Sequence, residues 1–235
     1  MSWTSASKEK RMTEVTGEII SEKKYNMLLG GTVFYGLMMN VIMCAAFGDR
    51  VLDWAIGQSS GMIILMVIYF VSAIIGVCMS RFSSNPAISF IGYNFIVVPL
   101  GLLLCVIING YVASGMGDVV FQAIVITAIT TFIMIVAACV FPGFFSKIGG
   151  ILLCALIGLV VAELAALLIF RSSNEIFSWI GAAIFTLYIG YDYWKAQQYP
   201  KTADNAIDCA IDIYLDIINL FLRILAILSN GKSRD

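Results

Sequence analysis

Residues 206 to 228 read AIDCAIDIYLDIINLFLRILAIL, a stretch long and apolar enough to cross a membrane that nevertheless carries Asp208, Asp212, Asp216, Asn219 and Arg223. At about 100° per residue these five positions fall within an arc of roughly 80°, so a helix here has one charged stripe. A carboxylate at the bilayer centre costs roughly 2.5–3.5 kcal/mol on insertion scales, and such a stripe cannot face lipid. It must face a bundle interior or a watery cavity, where intramembrane acids mark ion and proton paths.

The rest of the chain supplies the bundle. It is 60% hydrophobic and only 12% charged, with a mean hydropathy of +0.94, far from the roughly 25% charged composition of soluble domains. The fold class is therefore all-α, a polytopic membrane protein. Apolar stretches run approximately over 26–47, 62–80, 87–111, 119–141, 148–170, 176–194 and 206–228, each long enough at about 1.5 Å per residue for a core near 30 Å. The breaks carry turn formers: Gly48-Asp49, Ser83 to Pro86, Ser114-Gly115, Pro142-Gly143, Ser172 to Asn174 and Pro200. The division expected is a tail over 1–25, seven helices over 26–228 and a short tail over 229–235. The mixed-charge first tail is too long and too acidic for a signal peptide. Trp54, Tyr111, Trp179 and Trp194 near the span ends read as interfacial anchors, and Gly30-Gly31, Gly76, Gly92, Gly101, Gly149-Gly150, Gly158 and Gly181 as sites of close helix packing.

With seven spans, nine Lys and Arg fall on the side of the N-terminus and four on the other, Arg223 lying within a span. The positive-inside rule then puts the N-terminus in the cytosol, and compact loops favour a bacterial plasma membrane. A net charge of −1 argues against a nucleic-acid partner. The chain has no histidine, which removes imidazole proton shuttles, His-ligated haem and His-based zinc sites. The six cysteines lie singly in apolar stretches without a CxxC pair, the pattern of core packing. No cofactor motif, nucleotide site or nucleophile arrangement is visible, so no enzymatic activity is expected.

On this topology Arg81 ends the second span at the cytosolic side, Asp192 lies near the cytosolic end of the sixth, and the seventh re-enters with Asp208, Asp212 and Asp216 at increasing depth. If Asp192 meets a member of the stripe, two carboxylates in a low-dielectric interior would share one proton, and Arg81 offers a competing partner once that proton leaves. Clustered carboxylates also suit calcium, which takes six to eight oxygen ligands, and this makes Asp192 and Asp216 candidate ligands for that ion. For Asp216 the structural alternative is a buried acid tied to Arg223 or Asn219. Asp208 and Asp212 read either as an acidic vestibule that concentrates cations or as solvated residues of a helix that begins before the bilayer. Glu163 in the fifth span either faces the same interior or is held by Asn40, Asn94, Asn109, Thr127 or Thr130. Asn94 and Pro99 either loosen the third helix near a pore or serve packing.

The run YLDIINLF at 214–221, with Tyr191-Asp192 at the end of the sixth span and Arg81 after the second, resembles the Bax inhibitor-1 (transmembrane Bax inhibitor motif) family. The resemblance implies a seven-helix bundle with the last helix central and a calcium leak that responds to pH, with protection against cell death in eukaryotes. It implies that Asp192 and Asp216 are a di-aspartyl sensor and Arg81 its ionic latch. Asp208 and Asp212 are additional acids on the same stripe, and Tyr193-Trp194 stands where many relatives have small polar residues. The expected function is a calcium leak channel gated by protonation, with Asp212, Asp208, Glu163 and Asn219 along the ion path. Its partners would be calcium ions, protons and the lipid bilayer. The alternatives are a proton-coupled carrier and a stress modulator that acts by binding other membrane proteins.

Overall fold

The computed structural model describes residues 18–170 and 175–232. Most of the N-terminal tail, the expected turn over 172–174 and the last three residues lie outside the described residues. Within them the chain forms seven long helices: α1 (Glu22–Gly57), α2 (Gly61–Phe82), α3 (Pro86–Ala113), α4 (Gly117–Val140), α5 (Pro142–Ala165), α6 (Glu175–Gln198) and α7 (Ala203–Lys232). A π-helical turn, Ala166–Phe170, continues α5. Five segments, α1 to α4 and Pro142–Ile169, are long and apolar enough to cross a membrane by composition alone. α6 and α7 carry Asp192 and the acidic stripe. Large apolar side chains such as Phe70, Phe121, Phe132 and Ile151 stand exposed on the outer faces, the inverse of a soluble surface. The protein is a multi-pass membrane helix bundle.

The helix ends follow local chemistry. Ser21 caps α1, its hydroxyl accepting the Lys24 N–H at 3.3 Å, so the helix begins inside the stretch expected to be tail. Asn85 caps α3 through the Ala87 N–H at 2.9 Å, with Pro86 in the first turn where its missing N–H costs nothing. Thr202 accepts the Asn205 N–H at 3.2 Å at the start of α7. Gly115 takes φ +77° in the turn between α3 and α4, a conformation that only glycine adopts cheaply.

One expected break is absent. Gly48-Asp49 lies inside α1, which runs on to Gly57, and the turn falls at 58–60. Gly48 is used for packing instead: a Cβ there would run into the Asn109 side chain of α3. The residues after it are held by burial, Ala55 packing with Leu65 and Leu103. Gly76 of α2 and Gly92 of α3 each lie against the other's backbone carbonyl, the close crossing that small residues permit. Gly101, Gly149 and Gly181 also meet neighbours closely, but Gly30, Gly31, Gly150 and Gly158 face open space, so the packing role expected of those four does not hold.

By its contacts the chain divides into two compact units. The first holds the described residues of Met1–Gly115 with Tyr199–Tyr214, the second Met116–Gln198 with the described residues of Leu215–Asp235. Each therefore contains part of α7, and no residue of that helix from Ala203 to Ser229 is exposed. In the first unit the segment before α1 is tied to the loop before α7. Ile19 and Thr202 form an antiparallel bridge, the Ile20 N–H donates to the Lys201 carbonyl at 2.8 Å, and the Lys201 ammonium sits 4.5 Å from the centre of the Tyr25 ring. Burial lowers the pKa of that ammonium, and Glu22 acts in the opposite sense.

Pro99 does not break α3. It removes the donor that would serve the Phe95 carbonyl four residues back, and the Ser72 hydroxyl of α2 takes that place at 2.6 Å. The Asn94 side chain is likewise used in packing, accepting the Tyr35 hydroxyl at 2.7 Å. We expect Ser72→Ala to cost about 1 kcal/mol of unfolding free energy in mixed micelles, and to cost much less in a Pro99→Ala background where the backbone donor is restored. Equal costs in the two backgrounds would disprove this account of the proline.

Candidate functional site

In the first unit the stripe of α7 forms three successive polar contacts, one per helical turn. Asp204 accepts the Ser89 hydroxyl of α3 at 2.6 Å, Asp208 accepts the Ser80 hydroxyl of α2, and Asp212 pairs with the Arg81 guanidinium at 2.9 Å. Asp204 and Asp208 are only 2% and 4% exposed, whereas Arg81 and Asp212 keep about a quarter of their side-chain surface open, at 29% and 26%. The solvated reading of Asp208 is therefore wrong: it is a buried carboxylate. A carboxylate removed from water is costly unless donors reach it, and hydroxyl and guanidinium donors to a charged acceptor are among the strong hydrogen bonds. Just beyond Asp212, the Tyr214 ring meets Tyr93 edge-on at 5.4 Å and its hydroxyl accepts the Asn40 amide at 2.5 Å.

In the second unit Asp192 of α6 and Asp216 of α7 both act electrostatically on the Tyr188 phenol, which brings two acids distant in sequence to one side chain. Asp216 is 8% exposed and Asp192 half-buried. Arg223 is engaged elsewhere. Both of its terminal nitrogens reach the Glu163 carboxylate, one of them at 3.0 Å, and its stem lies against Gly181. The Asn219 amide donates to the Leu215 carbonyl at 2.8 Å within its own helix. Neither Arg223 nor Asn219 is thus the tie expected for Asp216, and Glu163 is held by the arginine rather than by the Asn and Thr residues considered for it. Lys232 and Asp118 pair at 2.7 Å on the surface, where solvent leaves such a contact little weight.

Sequence reading picked out Arg81, Asp192, Asp208, Asp212, Asp216, Glu163 and Asn219, and it missed four participants. Asp204 escaped because it precedes the apolar run, although it continues the same four-residue spacing. Ser80 and Ser89 carry no signal of their own, and Tyr188 is one aromatic among many. All six cysteines are reduced thiols. Cys105 and Cys209 are buried, but Cys78, Cys139 and Cys154 are exposed on outer faces, so the core role holds for only part of the set.

The Ser80–Asp208 contact can be weighed by a double-mutant cycle. With Ser80→Ala, Asp208→Asn and the pair, we expect a coupling of about 1.5–3 kcal/mol in reversible unfolding, the range for a hydrogen bond to a charged group. Additive single effects would show that the carboxylate is stabilised by something other than the serine.

The family model described as inhibitor of apoptosis-promoting Bax1 matches residues 19–234. An uncharacterized protein of Borreliella burgdorferi is 29% identical over 238 residues, covering 94% of this chain and 98% of that one. An uncharacterized protein of Helicobacter pylori J99 is 29% identical over 171 residues, 72% of this chain and 73% of its own. The Saccharomyces cerevisiae protein named Bax inhibitor 1 is 44% identical over 61 residues, a quarter of this chain and a fifth of its own. A match over nearly the whole chain, on a helical bundle whose last helix carries buried acids, makes this protein a member of the Bax inhibitor family.

Proposed function

We propose that this protein is a passive leak path for calcium across the membrane, governed by the protonation of Asp192 and Asp216, and that it has no enzymatic activity. The observation that carries the reading is that both carboxylates, one from α6 and one from α7, lie near enough to Tyr188 to act on its phenol. Two acids that share a low-dielectric neighbourhood cannot both ionise cheaply, so a proton held between them is gained or lost within a narrow pH range. Losing it adds a negative charge to a poorly hydrated interior, and a mobile cation or a change of helix packing must answer that charge.

Two carboxylates offer at most four oxygens, short of the six to eight that calcium takes. Among the described residues no three acidic or thiol side chains gather where they could hold a metal ion. Calcium is on this reading cargo rather than a resident cofactor. The acids of the first unit, Asp204, Asp208 and Asp212, supply negative charge on the same helix, and the Arg81–Asp212 pair sets how much of it is neutralised. The cytosolic N-terminus expected from the charge count puts this end of α7 towards the cytosol.

The purified protein in liposomes loaded with a calcium dye tests the reading. Influx should change between about pH 5 and pH 8, and Asp192→Asn or Asp216→Asn should flatten that profile several-fold while leaving the protein folded. Concentrative uptake that collapses with a proton gradient would replace the leak by a proton-coupled carrier. No influx above empty liposomes at any pH would remove transport and leave binding to other membrane proteins. Arg81→Gln, which takes the guanidinium from Asp212, should raise influx at neutral pH; unchanged influx would exclude the pair from the path.

A further inference from the structure

Within the first unit α1 and α3 meet in a constant parallel register. Asn40 faces Gly101, Cys44 faces Cys105, and Gly48 faces Asn109, successive pairs spaced by one helical turn on each helix. The glycines make the approach possible. A Cβ at Gly101 would collide with the Asn40 carbonyl oxygen and the Met43 sulfur, and one at Gly48 with the Asn109 amide. Between them Cys44 and Cys105 stand at the matching level of the register, near enough to act on each other. The backbones converge at the same point, since the Asn109 side-chain nitrogen lies 2.9 Å from the Cys105 carbonyl oxygen and 3.5 Å from that of Cys44. Both thiols are reduced, Cys105 fully buried and Cys44 partly open.

Disulfides form where two Cα atoms come within about 7 Å with their Cβ atoms turned towards each other, and two cysteines at one level of a glycine-tight helix crossing, whose carbonyls both lie beside the Asn109 amide, are the pair in this bundle placed for that approach. We propose that Cys44 and Cys105 are a redox-active pair, which a hydroperoxide converts to a reversible disulfide across the α1–α3 crossing. Cys44, the partly open member of the pair, takes the first step. Its sulfur attacks the peroxide, the O–O bond breaks, and Cys44 becomes a sulfenic acid as the peroxide leaves as an alcohol, or as water if hydrogen peroxide is the oxidant. The Cys105 sulfur then attacks the sulfenic sulfur, the S–S bond forms, and the hydroxyl departs as water with the Cys105 proton. Two thiols have lost two hydrogens and two electrons, and the peroxide has gained them. The oxidised bundle has α1 covalently fixed to α3 one turn from Asn40, whose amide holds Tyr214 of α7.

The other cysteines allow a clean count. Cys78, Cys139 and Cys154 are exposed, and Cys209 accepts the Tyr25 hydroxyl at 3.8 Å. A full-length variant with Cys78→Ser, Cys139→Ser and Cys154→Ser, in lipid vesicles, is treated with hydrogen peroxide, quenched, unfolded and alkylated with a polymer-tagged maleimide. Reduced protein should take three tags, oxidised protein one, and dithiothreitol should restore three. Adding Cys44→Ser should leave the two remaining thiols fully alkylated after peroxide. Peptide mapping of the unsubstituted protein should give the 44–105 linked pair, a result that does not depend on how the variants fold. Three tags after peroxide, a link through Cys209, or Cys44 carried on to sulfinic acid with Cys105 still alkylated would each overturn the proposal.

Discussion

A negative charge in a membrane must be answered by a donor, a proton or a cation, and this requirement organises the last helix. α7 holds acids at one-turn intervals from Asp204 to Asp216. Ser89, Ser80 and Arg81 reach the first three. The helix can carry such a stripe only because no residue from Ala203 to Ser229 is exposed. The outer faces of the other helices can then be largely apolar, since the buried acids among the described residues, Asp204, Asp208 and Asp216, lie on this one helix.

The same logic separates two kinds of ionic contact. Arg223 and Glu163 form a two-point pair with a matched partner, which satisfies both charges and makes each a fixed part of the second unit. Asp192 and Asp216 instead are two like groups that both act on one phenol. Opposite charges locked together stabilise one packing, and the proposed proton response rests on the other kind of arrangement.

Apolar run lengths and Pro, Gly and Ser punctuation carried most of the fold, because bilayer thickness fixes helix length and few residues can form the turns. The Gly48-Asp49 break failed for a physical reason. A glycine ends a helix only if the chain can leave there, and the packing of Asn109 against Gly48 together with the burial of Ala55 keeps α1 going. The stripe itself was legible, since period 3.6 is visible in the spacing of the acids. Their partners were not. That Arg81 meets Asp212, that Arg223 meets Glu163, and that two serines serve buried carboxylates all depend on how helices distant in sequence rotate against each other. A glycine likewise reads the same whether it meets a neighbouring backbone, as Gly76 does, or open space, as Gly30 does.

The bridge between Ile19 and Thr202 joins the start of the described chain to the loop before its last helix, and it imposes an order on biosynthesis. At about 5–20 residues per second, ribosomes take roughly ten seconds or more to deliver the later bridge partner after the earlier one. During that interval α1 must hold its place through its cap at Ser21 and its crossing with α3, both available as soon as the first hundred or so residues exist. The strap closes late. Tyr25 and Lys201 then meet in a nascent chain whose α1 has long since been inserted.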